Sequence, residues 1–510
     1  MSELLVGIDV GTQSSKGVLA RLDGTILSED RAQHGMDVPR PGWAEQDADS
    51  VWWADVCSIG RRLASAVRPG DRIAAVAVSA IGPTVLPIDE AGRPLRPAIL
   101  YGVDTRAAAQ IAALEDRHGA AALAAWSGMD LSSQAAGPKI AWLAEHEPEV
   151  HARARWFVTA TSYLVRQLTG ETVIDAHTAS HFNPMFDRTS IGWSDRYAAG
   201  ITEVERLALI GWPSAAAGVV SEAAAAATGL PAGVPVAVGT VDAMSEAVSV
   251  GVLEPGDLML MYGSTSFFIL VSERPVEAGS LWLTAGAEPG RWAIAGGLAT
   301  GGSALAWFRD RFGLDLVEAE RAGGANAFAA LSREAAATEA SGGEDLLFLP
   351  YLSGERTPIN DPNARAVIAG ASLHSTRGDL YRALLQGVAY AIRANLEAMG
   401  GLAEIRRVVA VGGGTEDGYL LQLVSDATGI AQLIPTSTIG AARGDAMLGG
   451  LAAGLLRRAD LAGWTSIERV IEPRPGNRAG HDRRYAAFGE LYRATRPIVH
   501  GLGGDAGPMR

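Results

Sequence analysis

Leu4-Leu5-Val6-Gly7-Ile8-Asp9-Val10-Gly11-Thr12-Gln13-Ser14-Ser15-Lys16 ends an apolar run in Asp, Gly and Thr, and a second apolar run, Gly17 to Leu22, follows at once. The pattern predicts a buried strand, a tight turn and an antiparallel partner. Gly11 permits a positive φ and close approach of backbone N–H groups, Thr12 and Ser14 add hydroxyls, and Lys16 adds a cation. Asp9, at the carboxyl end of the strand, is placed to hold Mg²⁺ through its waters. Such a turn suits a polyphosphate with its metal. Taken alone, Asp-Val-Gly-Thr fits an ordinary tight hairpin equally well.

A second stretch shifts that balance. Leu258-Met259-Leu260-Met261-Tyr262-Gly263-Ser264-Thr265-Ser266-Phe267-Phe268-Ile269 repeats strand, Gly-and-hydroxyl turn and strand about half a chain later. An internal duplication predicts two related α/β domains, each offering one phosphate turn to a shared interdomain cleft. The boundary falls close to Asp242, giving lobes at 1–243 and 244–500 and a frayed tail at 501–510.

Composition bounds the rest. A chain of 510 residues, 48% hydrophobic and 20% charged, is a globular protein of two or more domains. Its formal charge of −14 argues against a nucleic-acid or anionic-membrane surface. The single Cys57 excludes an intrachain disulfide, and no Cys/His cluster has zinc spacing. The first residues form a core strand, not a signal pattern, and no run is apolar enough to span a bilayer. A cytoplasmic enzyme is expected.

Along the chain, Leu4 to Arg31 reads as a three-stranded meander, and Asp49 or Ser50 as the cap of a helix through Trp52, Trp53 and Leu63. Ile73 to Ala80 is a strand covered on both faces, and Val85 to Asp89 begins a hairpin. Helices are expected at Asp104–Leu114, Gly137–His146, Val241–Val250, Gly301–Phe312, Asp379–Met399, Tyr419–Thr428 and Gly444–Leu455. Strands are expected at Pro235–Gly239 and Ile405–Val411. Gly170 to Trp212 has little periodicity and is assigned loops and short helices.

With both turns placed, nearly the whole chain resembles the FGGY carbohydrate kinases, members of the actin/hexokinase/Hsp70 superfamily, and within them the xylulokinases. Trp43-Ala44-Glu45-Gln46-Asp47, Leu95 to Leu100, Lys139 to Leu143 and above all Leu349-Pro350-Tyr351-Leu352-Ser353-Gly354-Glu355-Arg356-Thr357-Pro358 carry the likeness. The resemblance implies two ribonuclease-H-like lobes, ATP and Mg²⁺, and a small-molecule sugar as acceptor. It implies neither nucleic acid nor membrane as a partner, and a homodimer is the assembly to test. Ile81-Gly82-Pro83 stands where xylulokinases have Gln-Met-His, so the wall of the sugar site is rebuilt there.

Phosphoryl transfer to an alcohol needs an acceptor for the hydroxyl proton and charge neutralisation around the γ-phosphate. Asp242, in Val238-Gly239-Thr240-Val241-Asp242, matches the family's catalytic Asp; local sequence alone allows a helix N-cap equally. Through the same resemblance Asp9 is the carboxylate on the Mg²⁺ side, Gly11, Thr12, Gln13 and Ser14 the first phosphate loop, and Gly263, Ser264, Thr265 and Ser266 the second. Lys16 is either a phosphate contact or a solvated strand lysine. Gly301 and Gly302 open a helix whose N–H groups face nucleotide phosphate or ribose, or else form a plain cap. Gly412, Gly413 and Gly414 form the turn against adenosine. The sugar site takes Ile81, Gly82, Tyr101, Asp104 and Arg106 beside Asp242, the alternative for Asp104 and Arg106 being the charged start of a surface helix. His34, His151, His177 and His181 show no partner spacing and are assigned surface or structural roles.

The expected reaction is ATP-dependent phosphorylation of the terminal hydroxyl of a ketopentose, D-xylulose by preference. The alternatives are another acceptor (a ribulose, a tetrulose or an alditol) and a non-catalytic sugar or nucleotide sensor on the same fold.

Overall fold

The opening hairpin forms as its sequence requires. In the computed structural model, which describes residues 2–340, 345–436 and 439–502, strand Glu3–Val10 turns into the antiparallel strand Ser14–Arg21, and Ile26–Gln33 completes the meander. The apolar strand Arg72–Ala80 lies parallel to the first strand and is buried beyond Arg72, as a strand covered on both faces must be. Pro235–Ala237 and Thr240–Val241 pair with its other edge. The register lines up three carboxyl ends, with Asp9 opposite Ser79 and Ser79 opposite Thr240. Asp242 follows at once and opens helix Asp242–Ser249. Ligands of open α/β sheets bind outside the carboxyl ends of their strands, so this row positions a site.

The second half repeats the scheme. Asp257–Tyr262 runs antiparallel to Ser266–Ser272 and parallel to Arg407–Val411; Gln432–Pro435 and Ile467–Ile471 extend the sheet beyond. The duplicated turn therefore sits at the same place in two sheets of like construction.

The chain packs as two compact units, one of residues 1–255, 271–293 and 439–466 and one of 256–270, 294–438 and 467–510. These are discontinuous, unlike lobes at 1–243 and 244–500. Of the tail 501–510, Gly501 and Leu502 end helix Arg478–Leu502, and the remainder lies outside the described residues. Helix Ala441–Ala452 belongs to the first unit because its small residues allow contact at backbone distance. A Cβ on Gly7 would lie 1.9 Å from Ala442 O, and one on Gly444 would lie 1.9 Å from Ser245 O. No side chain fits either gap, so the helix lies directly on the first strand and on helix Asp242–Ser249.

Several boundaries differ from the sequence reading, each for a local reason. The helix expected to be capped by Asp49 or Ser50 is capped by Asp47, whose Oδ1 accepts from Ser50 N at 2.7 Å, and it begins π-helical at Ala48–Trp53 before Ala54–Ser65. The helix expected from Asp104 starts at Ala108, because Asp104 is engaged with Ala44 N and Arg106. The hairpin expected from Val85 forms, with Asp89 N donating to Arg93 O at 3.0 Å and antiparallel bridges at Ile88–Pro94 and Val85–Ile99, and Leu86–Ile88 also pairs with Trp156–Val158. The small-residue helix runs three residues earlier than Gly444–Leu455. Gly170 to Trp212 also holds short strands at Val173–Asp175 and Leu209–Gly211, which pair with each other.

Candidate active site

In the first unit the turn after Asp9 is closed by Gly11 N donating to Ser14 O at 3.1 Å. Among the described residues nothing accepts from the N–H groups of Thr12 and Gln13, and successive free N–H groups make an anion-binding concavity. The turn is braced from behind. Gln46 Nε2 donates to Thr12 O and Gly35 O at 2.9 Å each, and Gln46 Oε1 accepts from Trp52 Nε1. His34 Nε2 lies 2.8 Å from Gly11 O and its Nδ1 2.7 Å from Asp55 Oδ2. Both ring nitrogens face acceptors, an arrangement that favours the imidazolium. Lys16 stands across the ladder from Asp9 and is exposed.

Four carboxyl groups converge here, each short of counter-charge. Burial pushes Asp9 up to about 6, against the opposing pull of Ser79, Lys16 and His34. Asp242 goes up to about 8, through burial and then the nearby Asp9 charge. Glu246, one helical turn further on, goes up to about 7 for the same two reasons. Asp445 is raised well beyond the carboxylate range by burial and Asp9. Burial and mutual repulsion make these carboxyls hold their protons more tightly than exposed ones, the kind of perturbation that marks a candidate functional site. Asp242 Oδ1 accepts from Ala243 N at 2.7 Å, a local bond of the capping kind, while no described residue donates to its Oδ2. Asp9 likewise has one oxygen bonded, to Ser79, and no described residue donates to the other. The donor set is hard oxygen, which fits Mg²⁺. No group of three or more His, Cys, Asp or Glu among the described residues is arranged to hold a metal unaided. One carboxylate with waters and phosphate oxygens is how Mg²⁺ is usually held.

The second unit builds a matching turn. Gly263 N donates to Thr265 O at 3.1 Å, the counterpart of the Gly11 bond, and nothing described accepts from the N–H groups of Ser264 and Thr265. Of the two readings of the helix start at Gly301 and Gly302, the structure fits the plain cap: their N–H groups and that of Ser303 donate to Ser264 O, Gly263 O and Ser264 O at 2.9–3.0 Å. The helix start is a buttress for the loop. Gly412, at φ +92°, and Gly414 back onto Tyr262, where a Cβ would lie 2.6 and 2.8 Å from its atoms, whereas Gly413 opens onto free space. The Leu349–Pro358 stretch supports this arrangement. Glu355 Oε1 accepts from Ala299 N at 2.6 Å, Arg356 Nη2 donates to Leu298 O at 2.6 Å, and Thr300 Oγ1 donates to Pro350 O at 2.5 Å.

The expected sugar contacts divide. Tyr101 Oη reaches Thr12 Oγ1 at 3.1 Å, and the Tyr101 carbonyl accepts from the buried Lys139 ammonium. Gly82 packs so tightly on Val241 that a Cβ would lie 2.4 Å from Val241 Cγ1. Ile81, by contrast, is 1% exposed. Asp104 and Arg106 have side chains with no exposure at all: Arg106 is paired with Asp104 and Glu45 at 2.7 Å and lies over the rings of Trp43 and Trp142. These three side chains are enclosed by the protein's own groups, so the surface-helix alternative for Asp104 and Arg106 does not hold. Ser79, His34, Glu246 and Asp445 were not anticipated at the site. Only Glu246 carried a sequence signal, its i+4 spacing from Asp242 on one helix face.

The N-terminal domain of the FGGY family of carbohydrate kinases matches residues 4–249, and the C-terminal domain of the same family matches residues 258–453. The chain belongs to the FGGY family of carbohydrate kinases. It is 26% identical over 506 residues to a xylulose kinase of Lactococcus lactis, covering 98% of both chains. A glycerol kinase of a Geobacter species is 28% identical over 488 residues, 92% of this chain and 94% of that one. The crystal structure of xylulose kinase from Rhodospirillum rubrum superposes with a TM-score of 0.89 at 29% identity, covering 98% of this chain and 100% of that one. The fold is thus the two-domain α/β fold of these kinases, and the protein is a sugar kinase of that family.

Proposed function

We propose that the protein transfers the γ-phosphoryl group of ATP to the terminal hydroxyl of a ketopentose, with D-xylulose as preferred acceptor, yielding D-xylulose 5-phosphate and ADP in the cytoplasm. The observation that carries this reading is Asp242: a recessed carboxyl with one free oxygen, beside Asp9 and in the same unit as the first phosphate turn. The acceptor oxygen bonds to the γ-phosphorus as the bond from phosphorus to the β–γ bridging oxygen breaks. Asp242 Oδ2 takes the hydroxyl proton, and ADP leaves with the bridging oxygen's electron pair. Mg²⁺, held on Asp9 and the phosphates, would supply neutralisation of the developing charge. The N–H groups of Thr12, Gln13, Ser264 and Thr265 orient phosphate oxygens in each unit, and Tyr101 ties the first turn to the sugar wall.

Gly82 favours a second acceptor reading. Its contact with Val241 leaves no room for a large side chain beside Asp242, and glycerol kinases resemble the chain about as closely as xylulose kinases do. A coupled ADP-release assay across D-xylulose, a ribulose, a tetrulose, glycerol and an alditol decides between them. Turnover of D-xylulose with the highest kcat/KM is expected. Higher kcat/KM on another acceptor moves the substrate and leaves the chemistry. ATP and sugar binding without ADP release with any acceptor would favour the sensor.

A further inference from the structure

Ser79 stands between two carboxyl groups that its single hydroxyl proton cannot serve together. Its Oγ is 2.7 Å from Asp445 Oδ2 and 3.1 Å from Asp9 Oδ1. The other oxygen of Asp445, Oδ1, is 2.7 Å from Ser245 Oγ. Asp445 has no exposed surface, and no ion pair to it is formed among the described residues. A carboxylate buried without a cation is costly, so the neutral acid is the favoured state, in keeping with its strongly raised pKa.

Burial and the count of hydrogens together favour one direction for the chain, with Ser245 Oγ, also 2.9 Å from Ala441 O, turned toward Asp445. Were Asp445 and Asp9 both ionised, Ser79 would give its proton to the shorter contact, and Asp9 Oδ1 would face only lone pairs. With Asp445 neutral, its own proton goes to Ser79 Oγ, Ser79 donates to Asp9 Oδ1, and Ser245 donates to Asp445 Oδ1. Four elements meet in this relay: the first strand, the strand Arg72–Ala80, helix Asp242–Ser249 and helix Ala441–Ala452. The geometry points to Asp445 as a positioning residue for Asp9: acting through Ser79, it anchors one oxygen of Asp9 and leaves Oδ2 free for a metal-bound water. The inference rests on the proposed ATP and Mg²⁺ chemistry. Outer partners that orient a metal ligand typically contribute about 10- to 100-fold in metal affinity.

Three variants test it. In D445N the amide nitrogen donates to Ser79 and the amide oxygen accepts from Ser245, reproducing the neutral acid. D445A removes the anchor, and S79A cuts the relay while leaving Asp445 in place, which covers the case of D445A failing to fold. Mn²⁺ binding to the protein–ADP complex, followed by electron paramagnetic resonance, is read beside the Mg²⁺ dependence of turnover and metal-free ADP affinity. D445A and S79A are expected to weaken Mn²⁺ about 10- to 100-fold, D445N to match wild type, and metal-free ADP affinity to stay constant throughout. Folded S79A and D445A proteins that bind Mn²⁺ as wild type does would overturn the inference, and so would D445N losing as much as D445A. Wild-type protein that binds ADP but no Mn²⁺ would overturn the metal assignment itself, a result distinct from either.

Discussion

Tyr101 Oη lies 3.1 Å from Thr12 Oγ1. The aromatic residue proposed for the sugar site thus touches the turn proposed for phosphate, within one unit of the fold. Lys139 fixes the other end of the contact, its ammonium donating to Leu100 O, Tyr101 O and Ser133 O at 2.6–2.9 Å. With all three hydrogens spent on carbonyls, and burial pulling its pKa down to about 7, Lys139 is a bracket and not a phosphate ligand.

Tyr101→Phe keeps the ring and removes the bond to Thr12. A neutral hydrogen bond contributes about 1 kcal/mol net, roughly a fivefold change in an equilibrium. The variant is expected to raise KM for ATP by about that factor, and KM for the sugar too, because the ring loses its tether. Steady-state kinetics in both substrates check this; a change confined to the sugar would show that the tether does not reach the turn.

His34 gives the first turn a pH dependence. Burial works against its charge, but the bonds to Asp55 and Gly11 O and the charges of Asp55 and Asp9 hold its pKa above the ordinary histidine value. For a group raised on folding, the stabilisation is complete below the unfolded value and fades as pH rises through the folded one. Nucleotide affinity is therefore expected to weaken as pH rises above the ordinary histidine value and the imidazolium loses its proton. Asp55→Asn removes the carboxylate and is expected to move that decline to lower pH, read by ADP titrations from pH 6 to 9. An unchanged profile would take His34 out of the loop's electrostatics.

What was legible in the sequence follows from the range of each interaction. The hairpin turns at Gly11 and Gly263 announce themselves because glycine and hydroxyl residues end apolar runs, a local signal. The strand–helix junction at Asp242 was readable locally, whereas its role came only from the family resemblance. Ser79 was hidden inside an apolar strand, and its partner Asp445 lies 366 residues away in a helix whose small residues read as packing alone. His34 showed no partner spacing because Asp55 reaches it from a separate helix. Arg106 read as a site residue from its motif. Only the fold shows Glu45, Trp43 and Trp142 closing over it, and the aspartate two residues before it consumed by Ala44 N.

Gly302→Ala probes the second turn. Its Cβ would lie 2.7 Å from Gly263 O, closer than real contacts allow, so either the loop or the helix start must move. Overpacking of this kind costs about 1–3 kcal/mol. A lower Tm and weakened ADP binding are expected together; a lower Tm with ADP affinity intact would mean that the turn is not a nucleotide contact.

Asp242→Asn separates catalysis from capping, and its pH dependence is fixed in sign. The amide oxygen still accepts from Ala243 N, so a residue acting only at the helix start would leave activity near normal. As the base, Asp242 contributes about 10²–10⁴ to kcat, and the smaller end is expected if the hydroxyl proton leaves late in a dissociative transition state. Wild-type kcat/KM should rise with pH as Asp242 ionises, with a midpoint below the metal-free value of about 8, because Mg²⁺ on Asp9 cancels the Asp9 charge that helps raise it. Stability runs the other way. Asp242 is raised on folding, so between the ordinary carboxyl value of 3.8 and about 8 the unfolded chain has lost a proton that the folded chain keeps. Fewer protons bound in the unfolded state means that stability falls with rising pH across this window. Asparagine carries no charge to bury, so the variant's Tm should match wild type near pH 4 and exceed it at pH 8 in the absence of metal. A folded variant with kcat near wild type would remove Asp242 from the reaction, and a Tm difference that does not grow with pH would remove the buried charge.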